Sequence, residues 1–423
     1  MRVLIVNTSE KTGGAAVAAN RLKDALNNNG VKAKMLVRDK TTEDITVVKL
    51  PKSWLIRWNF LWERWVIFWH MHFSRKHLFE VDIANAGNDI TQLPEFREAD
   101  VIHLSWINQG MLSIKNIRKI IESGKPIVWT LHDIWPLTSI CHLTLGCDKF
   151  KSHCAACKYL PSGNDRDLSY RVWEQKSQLY KKGHISFVAC SRWLADEAQH
   201  SGLIGGQRVE VIPNPLNTQI YCRHDKQEAR RALGLPGNQR LLLFAAQRTT
   251  NVNKGMNYLV EACQKLTAQY PLMKQEVGLV LLGGHAEDYA GQFNMSVYPQ
   301  GYVNDEREIV KIYNAVDAFV LPSLSENLPN TIMEAMACGV PCIGFRVGGI
   351  PEMIDHRLNG YVANYCDADD LAFGIRWMLY DAPREQVECY AVQKVAANYS
   401  RSAVALRYIE VYHQAMKYKN NNL

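Results

Sequence analysis

Short apolar runs alternate with longer amphipathic stretches along the whole chain. In the first half the runs are RVLIV, AKMLV, VIHL, PIVWTLH, ISFVAC and VEVIP; in the second they are LLLFAA, VGLVLLGG, AFVLPS, PCIGF and YVA. Apolar runs of this length, bounded by turn residues, read as buried strands. Between them lie segments such as AAVAANRLKDALNNNG, helical in spacing and stopped by Gly30. Strands alternating with helices predict an α/β fold with parallel sheets wound from βα units. The plan occurs twice. Two doubly wound, Rossmann-like domains are therefore expected, joined near VIPNPLNT (211–218), where two prolines and two asparagines mark a linker. The division reads 1–212 and 213–398, with a last helical stretch, 399–423, able to cap either domain. Such a sheet opens its ligand crevice outside the carboxyl ends of its strands, and two such domains place it in the cleft between them.

A chain of 423 residues exceeds what one hydrophobic core usually supports, in keeping with two domains. With 47% hydrophobic and 22% charged residues it has the composition of an ordinary folded protein. The net charge of +7 is lopsided: residues 1–210 carry +8 and the rest −1. That favours a polyanionic or membrane-surface partner for the first half, with a solvated basic surface as the alternative. The opening MRVLIVNTSE reads as a strand without the apolar core of a signal peptide. No uncharged apolar run reaches 18 residues, so no membrane-spanning helix is expected. Eleven scattered cysteines without an export signal argue against a disulfide framework.

In SENLPNTIMEAMACGVP (325–341), Pro329 suits the first turn of a helix that stops at Gly339. Glu326 then lies in the preceding loop and Glu334 in the first turns, beside free N–H groups that welcome an anion. Glu334 is placed either to grip vicinal ribose hydroxyls or simply to stabilise its own helix. In AAQRTTNVNKG (245–255), Arg248 and Lys254 flank a strand-to-helix loop aimed at the same sheet edge. An arginine fork and a lysine point charge there suit a diphosphate; two solvated loop charges are the alternative. Gly13-Gly14 after the first strand lets backbone approach a ligand, but the pattern is not GxGxxG. LLGGH (281–285) is another strand followed by a glycine turn. His132 and Asp133 lie just past a strand, where a histidine serves acid–base, positioning or structural ends. The patterns Asp367-Ala368-Asp369 and Asp165-Arg166-Asp167 are discounted as metal sites, the first because it reads as a helix cap.

Two further segments stand out. Cys141, Cys147, Cys154 and Cys157, spaced C-x5-C-x6-C-x2-C, suit a structural zinc, with an iron–sulfur cluster or reduced thiols as alternatives. In WLIRWNFLWERWVIFWHMHF (54–73), Trp54, Trp58, Trp62, Trp65 and Trp69 fall within a helical stripe of roughly 80°. Asn59, Glu63 and His70 lie opposite, and Arg57, Arg64, Arg75 and Lys76 add positive charge. A tryptophan-rich basic helix suits an anionic membrane interface; a core or dimer-packing helix, using Ile56, Phe60 and Ile67, is the alternative.

Glu326 and Glu334 form an E-x7-E pattern. Taken with Arg248, Lys254-Gly255, Gly13-Gly14, VIPNPLNT and VGGIPEMI, it resembles glycosyltransferase family 4 over nearly the whole chain. The resemblance implies a GT-B fold with the acceptor in the N-terminal half, the donor in the C-terminal half, and a last helix that crosses back onto the N-domain. It also implies metal-independent transfer from a UDP- or GDP-sugar with retention at the anomeric carbon. Carried onto this chain, Arg248 and Lys254 bind the donor diphosphate, Glu334 holds the ribose and Glu326 faces the sugar. The backbone of Asn327, Leu328, Pro329 and Asn330 lines the sugar–phosphate pocket, Gly14 approaches the diphosphate, and His132 sits near the sugar hydroxyls. Ala246-Gln247 stand where the family often has glycine before the arginine. The cysteine cluster looks similar to one in the colanic-acid branch. Expected partners are the donor and a saccharide or polyprenyl-diphosphate-linked acceptor in surface-polysaccharide assembly, with no nucleic acid. The expected location is the cytoplasm or the inner face of its membrane. A sugar-nucleotide epimerase or hydrolase, and a non-catalytic zinc-stabilised membrane scaffold, are the rival functions; double displacement through a carboxylate is the rival mechanism.

Overall fold

The computed structural model describes residues 1–51 and 53–421, so Asn422 and Leu423 of the asparagine-rich end KNNNL lie outside the described residues. Two units emerge, one formed by Met1–Pro215 with Val404–Leu423 and the other by Leu216–Ala403.

The first unit is built on β1 (Arg2–Ser9), β2 (Lys32–Asp39), β3 (Val47–Lys49), β4 (Val101–Leu104), β5 (Ile127–Leu131), β6 (Ser186–Ala189) and β7 (Val209–Val211). They form one parallel sheet in the order β3-β2-β1-β4-β5-β6-β7. Strand order reverses between β1 and β4, as the Rossmann winding requires. Helix α1 (Gly14–Asn28) follows β1 and α2 (Trp54–His70) follows β3. The long final helix, Arg401–Asn421, belongs to this unit from Val404 onward. Its Val404, Ala405, Tyr408, Val411 and Tyr412 share a core with Val3, Ile5, Val101 and Val128.

The second unit repeats the plan with β8 (Arg240–Arg248), β9 (Val277–Gly284), β10 (Ser296–Gly301), β11 (Ala318–Leu321), β12 (Cys342–Phe345) and β13 (Gly360–Ala363). Its parallel order is β10-β9-β8-β11-β12-β13, and the reversal falls between β8 and β11. The expected α/β class with two doubly wound sheets holds. Two strands escaped the hydrophobic pattern, β3 and β10, and both are edge strands. β3 is three residues long, and β10 carries Pro299, which an edge tolerates because one side needs no ladder donor.

A buried polar cluster ties the final helix to the first sheet. His103 on β4 contacts the Tyr412 hydroxyl through Nδ1 at 2.6 Å and Thr130 Oγ1 through Nε2 at 2.8 Å, and Thr130 meets the Tyr408 hydroxyl at 2.9 Å. Burial, with some help from nearby His132, holds His103 down at about 3, and burial holds His132 at about 4. Both rings are neutral when folded. Their stabilising effect is complete above the ordinary histidine value near 6.5 and is lost as pH falls from there toward 3. Thermal unfolding should therefore shift to lower temperature on acidification below pH 6.5, and His103→Asn should flatten that limb. An unchanged slope in the variant would contradict the assignment.

Candidate functional site

In the second unit the loops after β8 and β11 flank the strand-order reversal and are stitched together. Asn253 Nδ2 donates to the Ser325 carbonyl at 2.8 Å, and the Leu324 N–H donates to the Asn253 carbonyl at 2.8 Å. Gly255 makes this approach possible: it adopts φ 71°, and a Cβ there would stand 1.8 Å from the Pro322 carbonyl oxygen. Gly348 does the same on the other side, with φ 55° and a would-be Cβ 1.6 Å from the Glu326 carbonyl oxygen, while the Gly349 N–H donates to Asn327 at 2.9 Å. Three loops thus meet at the carboxyl edge, where an open α/β sheet takes its ligand.

Within this frame Lys254 Nζ is ion-paired to Glu326 Oε1, which also accepts from Ser323 Oγ at 2.9 Å. Arg248 ends β8 with its side chain exposed, beyond a register shift that starts at Ala245. Leu328 is buried and Pro329 opens the helix Asn330–Ala337. Glu334 is also buried, and its Oε2 accepts from the Tyr313 hydroxyl at 3.1 Å. Burial, and then the Glu334 charge, raise the Tyr313 pKa well above its ordinary value. Glu334 is therefore held from below by a phenol, a partner that the spacing of the two glutamates does not reveal.

Gly14 and His132 belong to the first unit. Both lie at the carboxyl edge of its sheet, Gly14 at the start of α1 and His132 directly after β5. His132 Nδ1 lies 3.8 Å from Cys190 Sγ. Its neighbour Asp133 sits in a hydrogen-bonded network. It accepts from the Trp106 indole at 2.8 Å and the Trp135 N–H at 2.9 Å, and it meets His142 Nδ1 at 2.7 Å. His142 Nε2 reaches Asp82 Oδ2 at 2.6 Å. Burial opposes charge on this ring, but the two carboxylates outweigh it and push His142 up to about 10, so it is an imidazolium. Asp82 in turn pairs with Arg64 of α2. His142 and Asp82 were not singled out from the sequence; they are 60 residues apart and only folding brings them together.

The tryptophan helix is oriented by that network. Arg64 donates to the carbonyls of Leu78 at 2.7 Å and Val81 at 3.1 Å as well as to Asp82, and Glu63 accepts from the N–H groups of Ile83 at 3.0 Å and Ala84 at 2.6 Å. Burial and the Asp82 charge push Glu63 up to about 7 despite Arg64. Arg64 was expected among the surface charges and is instead buried. The expected polar side of the helix, Asn59, Glu63 and His70, faces inward, and the five tryptophans face out, 49–70% exposed. No helix is long and apolar enough to cross a membrane among the described residues.

Cys141, Cys147, Cys154 and Cys157 are free thiols lining one small cavity. Burial pushes Cys154 and Cys157 up to about 12 and raises Cys141. Zinc takes thiolates in tetrahedral array, yet among the described residues no group of three or more His, Cys, Asp or Glu is arranged to hold a metal ion. The structural zinc expected from the spacing is thus not supported. Asp367 caps its helix, accepting from the N–H groups of Asp369 and Asp370, and Asp167 caps the helix Leu168–Lys182.

Residues 12–220 match the family described as Glycosyltransferase Family 4, and residues 225–393 the one described as Glycosyl transferases group 1. The chain belongs to glycosyltransferase family 4, of the GT-B fold. An uncharacterized glycosyltransferase of Methanocaldococcus jannaschii is 29% identical over 217 residues, which is 50% of this chain and 55% of that protein. The putative colanic acid biosynthesis glycosyl transferase WcaC of Escherichia coli K12 is 26% identical over 283 residues, 63% and 65% of the two chains. This chain thus spans between about half and two thirds of the length of these relatives. The crystal structure of Anabaena HepE in complex with UDP-glucose superposes with a TM-score of 0.63 at 18% identity, over 98% of this chain and 100% of that one, a likeness of fold.

Proposed function

We propose that this protein transfers a sugar from a nucleotide-sugar to a saccharide acceptor, without a metal and with retention at the anomeric carbon. The observation that carries the reading is the Lys254–Glu326 pair at the strand-order reversal, with Arg248 at the end of the same loop. In the free protein Glu326 neutralises Lys254. A bound diphosphate competes for the ammonium, so Lys254 and Arg248 turn to the phosphate oxygens and Glu326 is released toward the sugar. The two cations then face the charge that builds on the departing nucleotide, the electrostatic task on which such a step depends. The backbone of Asn327–Asn330 lines the sugar–phosphate pocket and Glu334, braced by Tyr313, takes the ribose. Within the first unit, Gly14 and His132, the latter neutral by burial, are read as the ligand-facing residues of that unit's own sheet edge.

The donor is read as a UDP- or GDP-sugar, since the related fold of HepE holds UDP-glucose. The acceptor is read as a lipid-linked saccharide in surface-polysaccharide assembly at the inner face of the cytoplasmic membrane. The likeness to WcaC and the outward tryptophan face support this. An epimerase or hydrolase would have no use for that face.

Glu326→Gln tests the mechanism. Transfer should fall steeply while mass spectrometry of enzyme incubated with donor shows no covalent sugar adduct, because the carboxylate grips the donor and attacks nothing. A trapped glycosyl-enzyme would replace this reading by double displacement.

A further inference from the structure

The exposed surface of α2 is apolar and cationic without a single carboxylate. Trp62 and Trp65 stack at 5.4 Å, Trp65 and Trp69 lie 6.0 Å apart, and Trp69 meets Phe73 edge-on at 5.3 Å. With Trp54 and Trp58 they form one ridge about 22 Å long at 1.5 Å per residue. The ridge is held outward. Rotating the helix to bury it would pull Arg64 off Asp82 and Glu63 off two backbone N–H groups, leaving buried charge uncompensated. The only acid of α2, Glu63, is buried, whereas Arg57, Arg75 and Lys76 are exposed.

A cavity of about 560 Å³ adjoins the first turns of this helix. It is lined by Arg38, Lys49 and Arg57 together with Trp54, Ile56 and Phe60. Asp39 also lines it, but both of its oxygens are taken by Arg38, at 2.6–3.1 Å. Arg38 also rests over the Phe60 ring, 5.4 Å from its centroid. The side chains of Lys49 and Arg57 carry no ion pair or hydrogen bond among the described residues, so the cavity holds two uncompensated cations beside an apolar wall.

Resting on the membrane part of the function proposed above, we propose that the tryptophan ridge docks on a bilayer and that the Arg38–Lys49–Arg57 cavity takes the phosphate of an anionic lipid headgroup. Tryptophan rings settle at headgroup depth, and cations beside them are drawn to anionic lipid. A second copy of the chain is a poorer occupant, because a twofold pairing of these faces would set Arg57, Arg75 and Lys76 against their like. The first turns of α2 also pack on the loop after β4: a Cβ at Gly110 would stand 2.7 Å from the Phe60 nitrogen, and Asn59 Nδ2 bonds Asn88 at 3.1 Å, which itself donates to the Gly110 and Met111 carbonyls of that loop. That loop borders the strand-order reversal of the first sheet, so an acceptor carried by a lipid would be delivered to that sheet's ligand edge.

Flotation of the whole protein with phosphatidylcholine vesicles, with and without phosphatidylglycerol, tests the proposal, using the UDP-induced thermal shift as a control for the donor site. The wild type should float with phosphatidylglycerol vesicles and far less with phosphatidylcholine alone. Lys49→Ala with Arg57→Ala should weaken that binding about 10- to 30-fold, given the worth of each cation near an anionic surface. Trp58→Ala with Trp62→Ala and Trp65→Ala should abolish it, and both variants should keep the UDP response. Flotation that is equal in the wild type and in the cation variant overturns the headgroup cavity and leaves membrane docking standing. Wild type that never floats yet responds to UDP overturns the docking and leaves donor chemistry untouched. Glycerol phosphate bound in solution by the wild type and not by the cation variant, without flotation, assigns the cavity to a free phosphate and overturns the lipid. A dimer in light scattering that the tryptophan variant dissolves assigns the ridge to a second copy.

Discussion

Replacing Arg248 and Lys254 together by alanine should lower the rate of sugar transfer by at least about 10³-fold, since one donor lost from a comparable electrostatic site costs 10²–10³. Neither side chain belongs to the core: Arg248, at the end of β8, is exposed, and Lys254 is ion-paired to Glu326. The fold should therefore survive, and the melting temperature without nucleotide should stay near the wild-type value. The thermal shift on adding UDP or GDP should vanish along with turnover. The effect should exceed that of Glu326→Gln if, as proposed, the pair answers the charge that develops as the nucleotide leaves. Release of nucleotide from a panel of donors measures it. Turnover that survives the double substitution would refute the assignment, as would activity lost to a chelator and restored by magnesium.

The second large effect is expected in the first unit. Arg64→Ala removes the cation that faces Asp82 and frees the carbonyls of Leu78 and Val81. Taking one partner from a buried pair costs about 3–5 kcal/mol, because the other charge stays behind without compensation. Here the remaining groups are Asp82 and the imidazolium of His142, packed under α2, and Glu63 on the helix's inner side. Denaturant unfolding should move to lower midpoint by an amount in that range, and Arg64→Lys should recover only part of it, since one ammonium cannot reach two carbonyls and a carboxylate in the same fork. A loss below about 1 kcal/mol would mean that Asp82 is served by His142 alone.

The loops after β8 and β11 were readable because they depend on local chemistry. A strand, a cationic loop and a glycine fix where Lys254 stands, and a proline at the helix entry fixes Glu326 eight positions before Glu334. What local chemistry omits is the partner across the fold. Tyr313 under Glu334, and the chain of Arg64, Asp82, His142 and Asp133, arise from segments with no shared periodicity. The cysteine spacing suited zinc, yet the thiols around their cavity lack the convergence that a metal needs.

The alternation of apolar runs and amphipathic stretches by itself determined the two wound sheets, because burying a strand on both faces demands a continuous apolar run and leaves little choice of fold. It also determined that five tryptophans share one side of α2, since helical pitch alone sets that. Which way that side faces was decided by tertiary structure. Two charged residues opposite the tryptophans found a carboxylate and backbone groups inside the unit, and the cost of leaving those groups unpaired outweighed the burial of the indoles.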